Sequence, residues 1–239
     1  MSERIEALPW DSEFFEVSIG AVDLTGATKA DLEEIVAEAQ DRRFDCVYGT
    51  HTPEGSHTSI AAQDAGFRLV EVNQLMHRRA GPLEHRPTPS VGRIATAEDL
   101  EAVDEYLDLL APWSRFGSDP RFGRPAATRM LRAWIHRAAE EDHRLVTISA
   151  DEDGITGIGT HVFEDLHRID LLALTKPGTD ASYLHLEELV RWADDGPTLG
   201  GPCAARNLAP LRFLEKAGYM LHSVTYTHHW WAEGRMVHG

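Results

Sequence analysis

Two segments of this chain, AGFRLVEVNQLMH at residues 65–77 and AGYMLHSVTYTHH at residues 217–229, match without a gap at Ala, Gly, an aromatic, Leu, Val and His. Each reads as the end of an amphipathic helix, a glycine stop and then a strand. A chain that holds both is drawn toward two related αβ units whose last helix and strand are equivalent. A short echo also arises wherever strands follow Gly-capped helices, so both origins stay open at this stage.

The surrounding pattern agrees with two halves. The first reads strand, helix, strand, helix, strand, with Leu32, Ile35, Val36 and Ala39 as one helical stripe before the extended DCVYGTH. AGPLEHRPTPSVG, residues 80–92, is rich in Pro, Gly and Ser and reads as a linker. The expected division is 1–82, a linker at 83–92, and 93–239. In the second half TAEDLEAVDEYLDLL opens with Thr96 and Asp99 spaced as a capping box and carries Leu100, Val103, Leu107 and Leu110 as its buried stripe. A second helix follows, with Met130, Leu131, Trp134 and Ile135 expected inward. Residues 144–175 read as three strands with a hairpin signal at DEDG. SYLHLEELVRWADD is a third helix. AARNLAPLRFLEKAGYMLHS then gives a helix with Asn207 as its expected cap, Leu208, Leu211 and Leu214 as its stripe and Gly218 as its stop.

Composition narrows the function. At 239 residues and 42% hydrophobic content, one large core or two small joined ones can be buried. The apolar runs are far short of a membrane span, and MSERIEALPWDSEFF has no basic segment followed by an apolar one, so neither membrane insertion nor secretion is expected. A net charge of −16 repels nucleic-acid phosphates and favours cationic amines. Cys46 and Cys203 have no CxxC spacing and read as buried thiols of a reducing cytoplasm. Thirteen His include no HExxH or paired Cys/His ladder, so no metal is expected. Trp230 and Trp231 suit edge packing or a subunit contact, which leaves a homodimer as an open expectation.

Asn207, Phe213, Glu215, Lys216, Gly218 and Tyr219 fit motif B of the GNAT acyltransferase superfamily, which the chain resembles, with Leu214 where that motif usually has Tyr. The resemblance implies an α/β (α+β) GNAT fold, a mixed and mostly antiparallel central sheet flanked by helices, preceded here by a partial GNAT-like αβ domain in tandem. LPWDSEFFEVSIG and WSRFGSDPRFGRPAATRMLRAWI are similar to segments of the nucleotide-linked sugar N-acetyltransferases typified by TDP-fucosamine acetyltransferase. That likeness places Trp113, Arg115, Phe116 and Arg121 at the amine-substrate cleft, where an Arg suits a sugar phosphate or carboxylate. It also implies transfer of an acyl group, most simply acetyl, from acetyl-CoA or another acyl-CoA to a small amine by direct attack, with a nucleotide-linked amino sugar as the suggested acceptor.

Such a reaction needs a base for the amine, an amide for the oxyanion and an acid or dipole for the leaving thiolate. By position, Leu172, Ala173 and Leu174 form the strand whose backbone would hold the donor, with Asn207 completing the donor set. The diphosphate loop aligns with KPGTDASYL, giving Lys176, Gly178, Thr179, Asp180, Ala181 and Ser182. Gly178 is one place early and Asp180 is an anion where an anion should bind, so Thr179 and Asp180 also read as helix caps. A donor carried on a protein's phosphopantetheine or on an aminoacyl-tRNA would relax that loop, although the acidic chain disfavours RNA. Leu214 cannot donate a proton. Asp170 shares strand parity with Leu172 and Leu174 and is the candidate amine base, while Tyr226 and His222 on the last strand are candidate proton carriers. A degenerate GNAT that binds without catalysis is the alternative from a different class.

Overall fold

Strands with apolar faces and helices with one apolar stripe bury those surfaces only by layering, and the described residues of this chain layer helices on both faces of one ten-stranded sheet. This computed structural model describes residues 3–53, 56–83, 90–163, 167–174, 181–194 and 196–237. The amino-terminal half supplies β1 (Glu6–Ala7), α1 (Pro9–Phe15), β2 (Ile19–Asp23), α2 (Lys29–Asp41), β3 (Cys46–His51), α3 (Ser56–Asp64) and β4 (Arg68–Arg78). The carboxy-terminal half supplies β5 (Val91–Ile94), α4 (Ala97–Leu110), a 3-10 turn (Ala111–Trp113), α5 (Arg115–Ser118) and α6 (Gly123–Glu140). It continues with β6 (Arg144–Asp151), β7 (Gly154–Val162), β8 (Arg168–Leu174), α7 (Ser182–Trp192), β9 (Thr198–Ala204), α8 (Leu208–Lys216) and β10 (Met220–Trp231).

The strand order is β1-β2-β3-β10-β4-β9-β8-β7-β6-β5, which exchanges the last strand of each half into the other. β10 lies between β3 and β4, and β4 lies between β10 and β9. The shift that carries Gly66 onto Gly218 also carries α3 onto α8 and β4 onto β10, and it carries Asn73 onto Thr225. Asn73 and Thr225 face one another in the β4–β10 ladder, so the repeat is related by a local twofold passing between them. The ladder's irregularities obey the same symmetry: β10 bulges at His222 and β4 at the equivalent Val70.

Sequence expectations fare unevenly here. The Thr96–Asp99 capping box forms, and the same device at Thr28–Asp31 starts α2. Leu32, Ile35 and Ala39 are buried under α2, with Trp230 of β10 in the same cluster, a direct consequence of the exchange. Trp230 and Trp231 are therefore interior residues of a central strand, each 7% exposed, and not an edge. Trp134 departs from its predicted inward position: it is 40% exposed, while Met130, Leu131 and Ile135 are buried. Val91 and Gly92, expected in the linker, pair with β6 as part of β5, because a strand needs only a hydrogen-bonding neighbour and not an apolar pattern. Residues 84–89 of that linker lie outside the described residues.

Candidate active site in the cleft between β8 and β9

β8 and β9 run parallel and pair at only two positions, Arg168 with Leu199 and Ile169 with Gly200. Beyond them the strands part, so among the described residues the β9-facing backbone groups of Leu171–Leu174 have no strand partner. The cause is local. Across β4, Gln74 faces Cys203 and Met76 faces Gly200, so Gly201 and Pro202 together oppose the single Leu75. A Cβ on Gly201 would lie 1.9 Å from the Ile169 carbonyl oxygen, which only glycine permits.

The gap holds a cavity of about 310 Å³. It runs between the helix layers, with Leu110, Trp113, Phe116, Leu131 and Trp134 on the α4–α6 side and Asn207, Pro210 and Leu214 on the α8 side. Its walls thus come from both helix layers. Its polar side chains include Glu71 and Asn73, which β4 delivers from the amino-terminal half, together with Arg115, Asp170 and Cys203.

Glu71 is a candidate base that sequence reasoning missed. Its carboxylate accepts a hydrogen bond from Asn73 Nδ2 at 2.7 Å, and burial pushes its pKa above the ordinary glutamate value against the pull of Asn73, Arg115 and Arg206. The signal was present: Glu71 and Asn73 put two polar side chains on one face of a strand otherwise read only for its repeat. Asp170 also lines the cavity, but its carboxylate is engaged by Arg144 at 2.9 Å and Arg168 at 3.4 Å. Those pairs hold its lone pairs away from an incoming amine.

The loop SRFGSDPRF is built by a buried anchor. Asp119 accepts hydrogen bonds from His229 Nδ1 at 2.7 Å and Trp231 Nε1 at 2.9 Å on β10, and from the Arg121 amide at 2.9 Å. Although burial works against it, these bonds keep the Asp119 carboxyl below its usual range. Ser114 caps α5 by accepting from the Gly117 amide, and α5 carries Arg115 and Phe116 into the cavity wall. Trp113 joins them, with the Arg206 guanidinium 5.3 Å from its ring and bonded to the Pro112 carbonyl and Ser118 hydroxyl. Arg121 lies apart from the cavity lining, its guanidinium 5.8 Å from the Trp231 ring.

Of the predicted donor residues, Leu172 and Asn207 line the cavity, whereas Ala173 is buried and Leu174 half-buried. Asn207 makes no capping hydrogen bond with its side chain, contrary to expectation, since its backbone at φ −94 and ψ 87 departs from the extended geometry seen at Thr96. Ala181 and Ser182 are buried at the start of α7. Lys176, Gly178, Thr179 and Asp180 lie outside the described residues. Leu214 is 3% exposed and packs on Gly200, where a Cβ would meet its Cδ2 at 2.7 Å. Cys203 is half-buried at the cavity, and burial pushes its thiol up to about 11.

Tyr226 and His222 are not brought to this cavity. Directly paired residues share a face, and Glu71 and Asn73 face Thr227 and Thr225, so Tyr226 is on the reverse face, stacked on His51 at 5.1 Å. His222 is the bulge residue, exposed beside His77 at 5.8 Å between ring centroids.

No protein-family model and no curated protein matches the chain. Solved structures do. A functionally unknown conserved protein from Staphylococcus epidermidis is 14% identical, with a TM-score of 0.68 over 96% of this chain and 92% of that one. A GCN5-related N-acetyltransferase from Sphaerobacter thermophilus is 14% identical, with a TM-score of 0.62 over 94% and 75%. Another from Kribbella flavida is 11% identical, with a TM-score of 0.52 over 89% and 80%. The fold is the GNAT fold.

Proposed function

We propose that the protein is an N-acyltransferase that moves an acyl group from a pantetheine thioester to the amine of a small molecule. The observation that carries this reading is the β8–β9 cleft, walled by residues of both helix layers and holding a desolvated carboxylate, Glu71, beside unpaired strand backbone. The donor lies along β8, where the β9-facing amides within Leu171–Leu174 bind its extended arm as a strand neighbour would and one of them faces the thioester oxygen. The acceptor enters from the Trp113 and Trp134 side.

Glu71 takes the proton from the attacking amine, whose lone pair forms the C–N bond. The tetrahedral intermediate then collapses, the C–S bond breaks, and the thiolate leaves with the electron pair. Leu214 offers no proton, so the sulfur is protonated by solvent supplied with the proton that Glu71 released. No covalent enzyme intermediate is required: Cys203 is held as the thiol by burial and is a poor nucleophile in that form.

Acetyl is the simplest acyl group, free CoA the simplest donor carrier, and a nucleotide-linked amino sugar the acceptor that the SRFGSDPRF resemblance supports. Thiol release from acetyl-CoA, followed across amino sugars, their nucleotide conjugates, amino acids and simple amines, tests the reaction. CoA binding by titration calorimetry tests the donor. The absence of both thiol release and CoA binding would overturn the reading for free CoA, and native mass spectrometry with an acyl-loaded carrier protein then decides the carrier donor. Donor binding without turnover on any amine would favour a non-catalytic binding protein.

A further inference from the structure

Arg115 stands in the cavity wall with its charge held but unused. Its guanidinium carbon sits 4.6 Å from the centre of the Tyr48 ring and 4.8 Å from that of Phe116, so two aromatic faces fix its plane. Among the described residues its buried Nε has no hydrogen-bond partner, and no carboxylate lies within ion-pair distance of it. Asp11 and Glu71 both feel its charge without closing on it. A planar donor set in a partly buried site, left without an acceptor, is costly unless an anion completes it. Glu71 faces the same cavity and is the group suited to an amine. Guanidinium and carboxylate in one cavity, kept from neutralising each other, are the complement of a molecule that bears an amine and an anion together.

We propose that the acceptor is an amine that also carries a carboxylate or phosphate, and that Arg115 holds that anionic group while Glu71 receives the amine. The proposal rests on the acyltransferase reading for the fate of the amine, but the recognition itself is a binding property. Trp113, Phe116, Leu131 and Trp134 supply an apolar wall for the body between the two charged ends.

Binding is measured by calorimetry without donor, using L-phenylalanine against phenethylamine and glucosamine 6-phosphate against glucosamine, on the wild-type chain and on Arg115→Gln and Arg115→Lys. In at least one pair the anionic member binds roughly 10- to 100-fold more tightly. Which pair shows it separates carboxylate from phosphate. Arg115→Gln abolishes that preference and leaves the neutral member's affinity unchanged, and Arg115→Lys restores part of it. With acetyl-CoA present, Arg115→Gln raises KM for the anionic acceptor and changes kcat by less than about threefold. The proposal fails if no anionic member binds more tightly than its neutral counterpart, or if Arg115→Gln weakens both members equally. A charge preference that depends on Arg115, with no thiol release from any amine, would sustain the recognition and sink the acyltransferase reading.

Discussion

The β2–β3 pair and the β8–β9 pair occupy equivalent places in the two halves and do opposite things. β2 and β3 are parallel and in register over five consecutive positions, from Ile19 with Cys46 to Asp23 with Thr50. β8 and β9 are parallel over two. The difference is one residue. His51 of β3 faces Tyr226 as Cys203 of β9 faces Gln74, and Gly49 faces His228 as Gly200 faces Met76. Between those matched points β3 has Thr50 alone, and β9 has Gly201 and Pro202. An extra residue that cannot join the ladder bends β9 away from β8, and Pro202 has no amide to offer a neighbour. A regular strand gives a closed core, and a bulged one gives a site.

The largest expected effect comes from making the open half like the closed one. Deleting Pro202 sets one residue of β9 against one of β4, and acyl transfer is expected to fall on the order of 10³-fold or more with the circular dichroism of the fold retained. Undiminished activity would break the link between bulge and cleft. Glu71→Gln is expected to lower kcat roughly 10²-fold, whereas Ser223→Ala, at the equivalent place on β10, leaves it within about twofold. A base must be ionised to act and the pKa of Glu71 is raised, so the wild-type rate is expected to climb with pH through a midpoint above the usual glutamate value, and the variant to lose that limb.

Stability separates the halves as well. Gly201→Ala drives a methyl into the backbone of Ile169 and is expected to cost on the order of 3 kcal/mol. Gly49→Ala meets the flexible end of Leu24 at 2.5 Å and costs about 1 kcal/mol by the same urea titrations. The layer under α7 is polar: His161 Nε2 and His185 Nδ1 share the Thr147 hydroxyl at 2.8 and 2.7 Å, and His185 Nε2 reaches Ser149. The layer under α2 is apolar. Burial lowers His161 to about 4 and His185 to about 3, with His161 adding to the latter. Below pH 6.5 the unfolded chain therefore takes protons that the folded one refuses. Stability is full above that pH and falls by up to about 1.4 kcal/mol per pH unit for each histidine as the pH drops toward those values, and replacing either with Gln flattens the slope. The smallest effect is Asn207→Ala, within about 0.5 kcal/mol by thermal melting, because its side chain makes no cap; Thr96→Ala costs about 1 kcal/mol.

Local patterning made much of the fold legible. The Thr96 capping box, the Leu32–Ala39 stripe, the Gly218 stop at φ +83 and the hairpin at DEDG are each decided within a few residues of chain, and each was readable. Of the SRFGSDPRF region, read as a substrate cleft, Trp113, Arg115 and Phe116 line the cavity and Arg121 lies apart, because Asp119 turns the chain onto β10 between them. Tyr226 and His222 were read as members of the last strand, and membership does not say which face carries the cavity or that the strand bulges at His222. Glu71 was hidden for a different reason: it belongs to the half that the cleft does not.

What the sequence by itself determined is the identity and order of the elements and the near-duplication of the halves, since helix stripes, caps and turns are short-range. Only the tertiary structure decided that β4 and β10 change places. Strand pairing is set by hydrogen bonds between backbones that any sequence can make, so the exchange leaves no mark in composition, yet it carries Glu71 and Asn73 into a cavity whose other walls come from the opposite half.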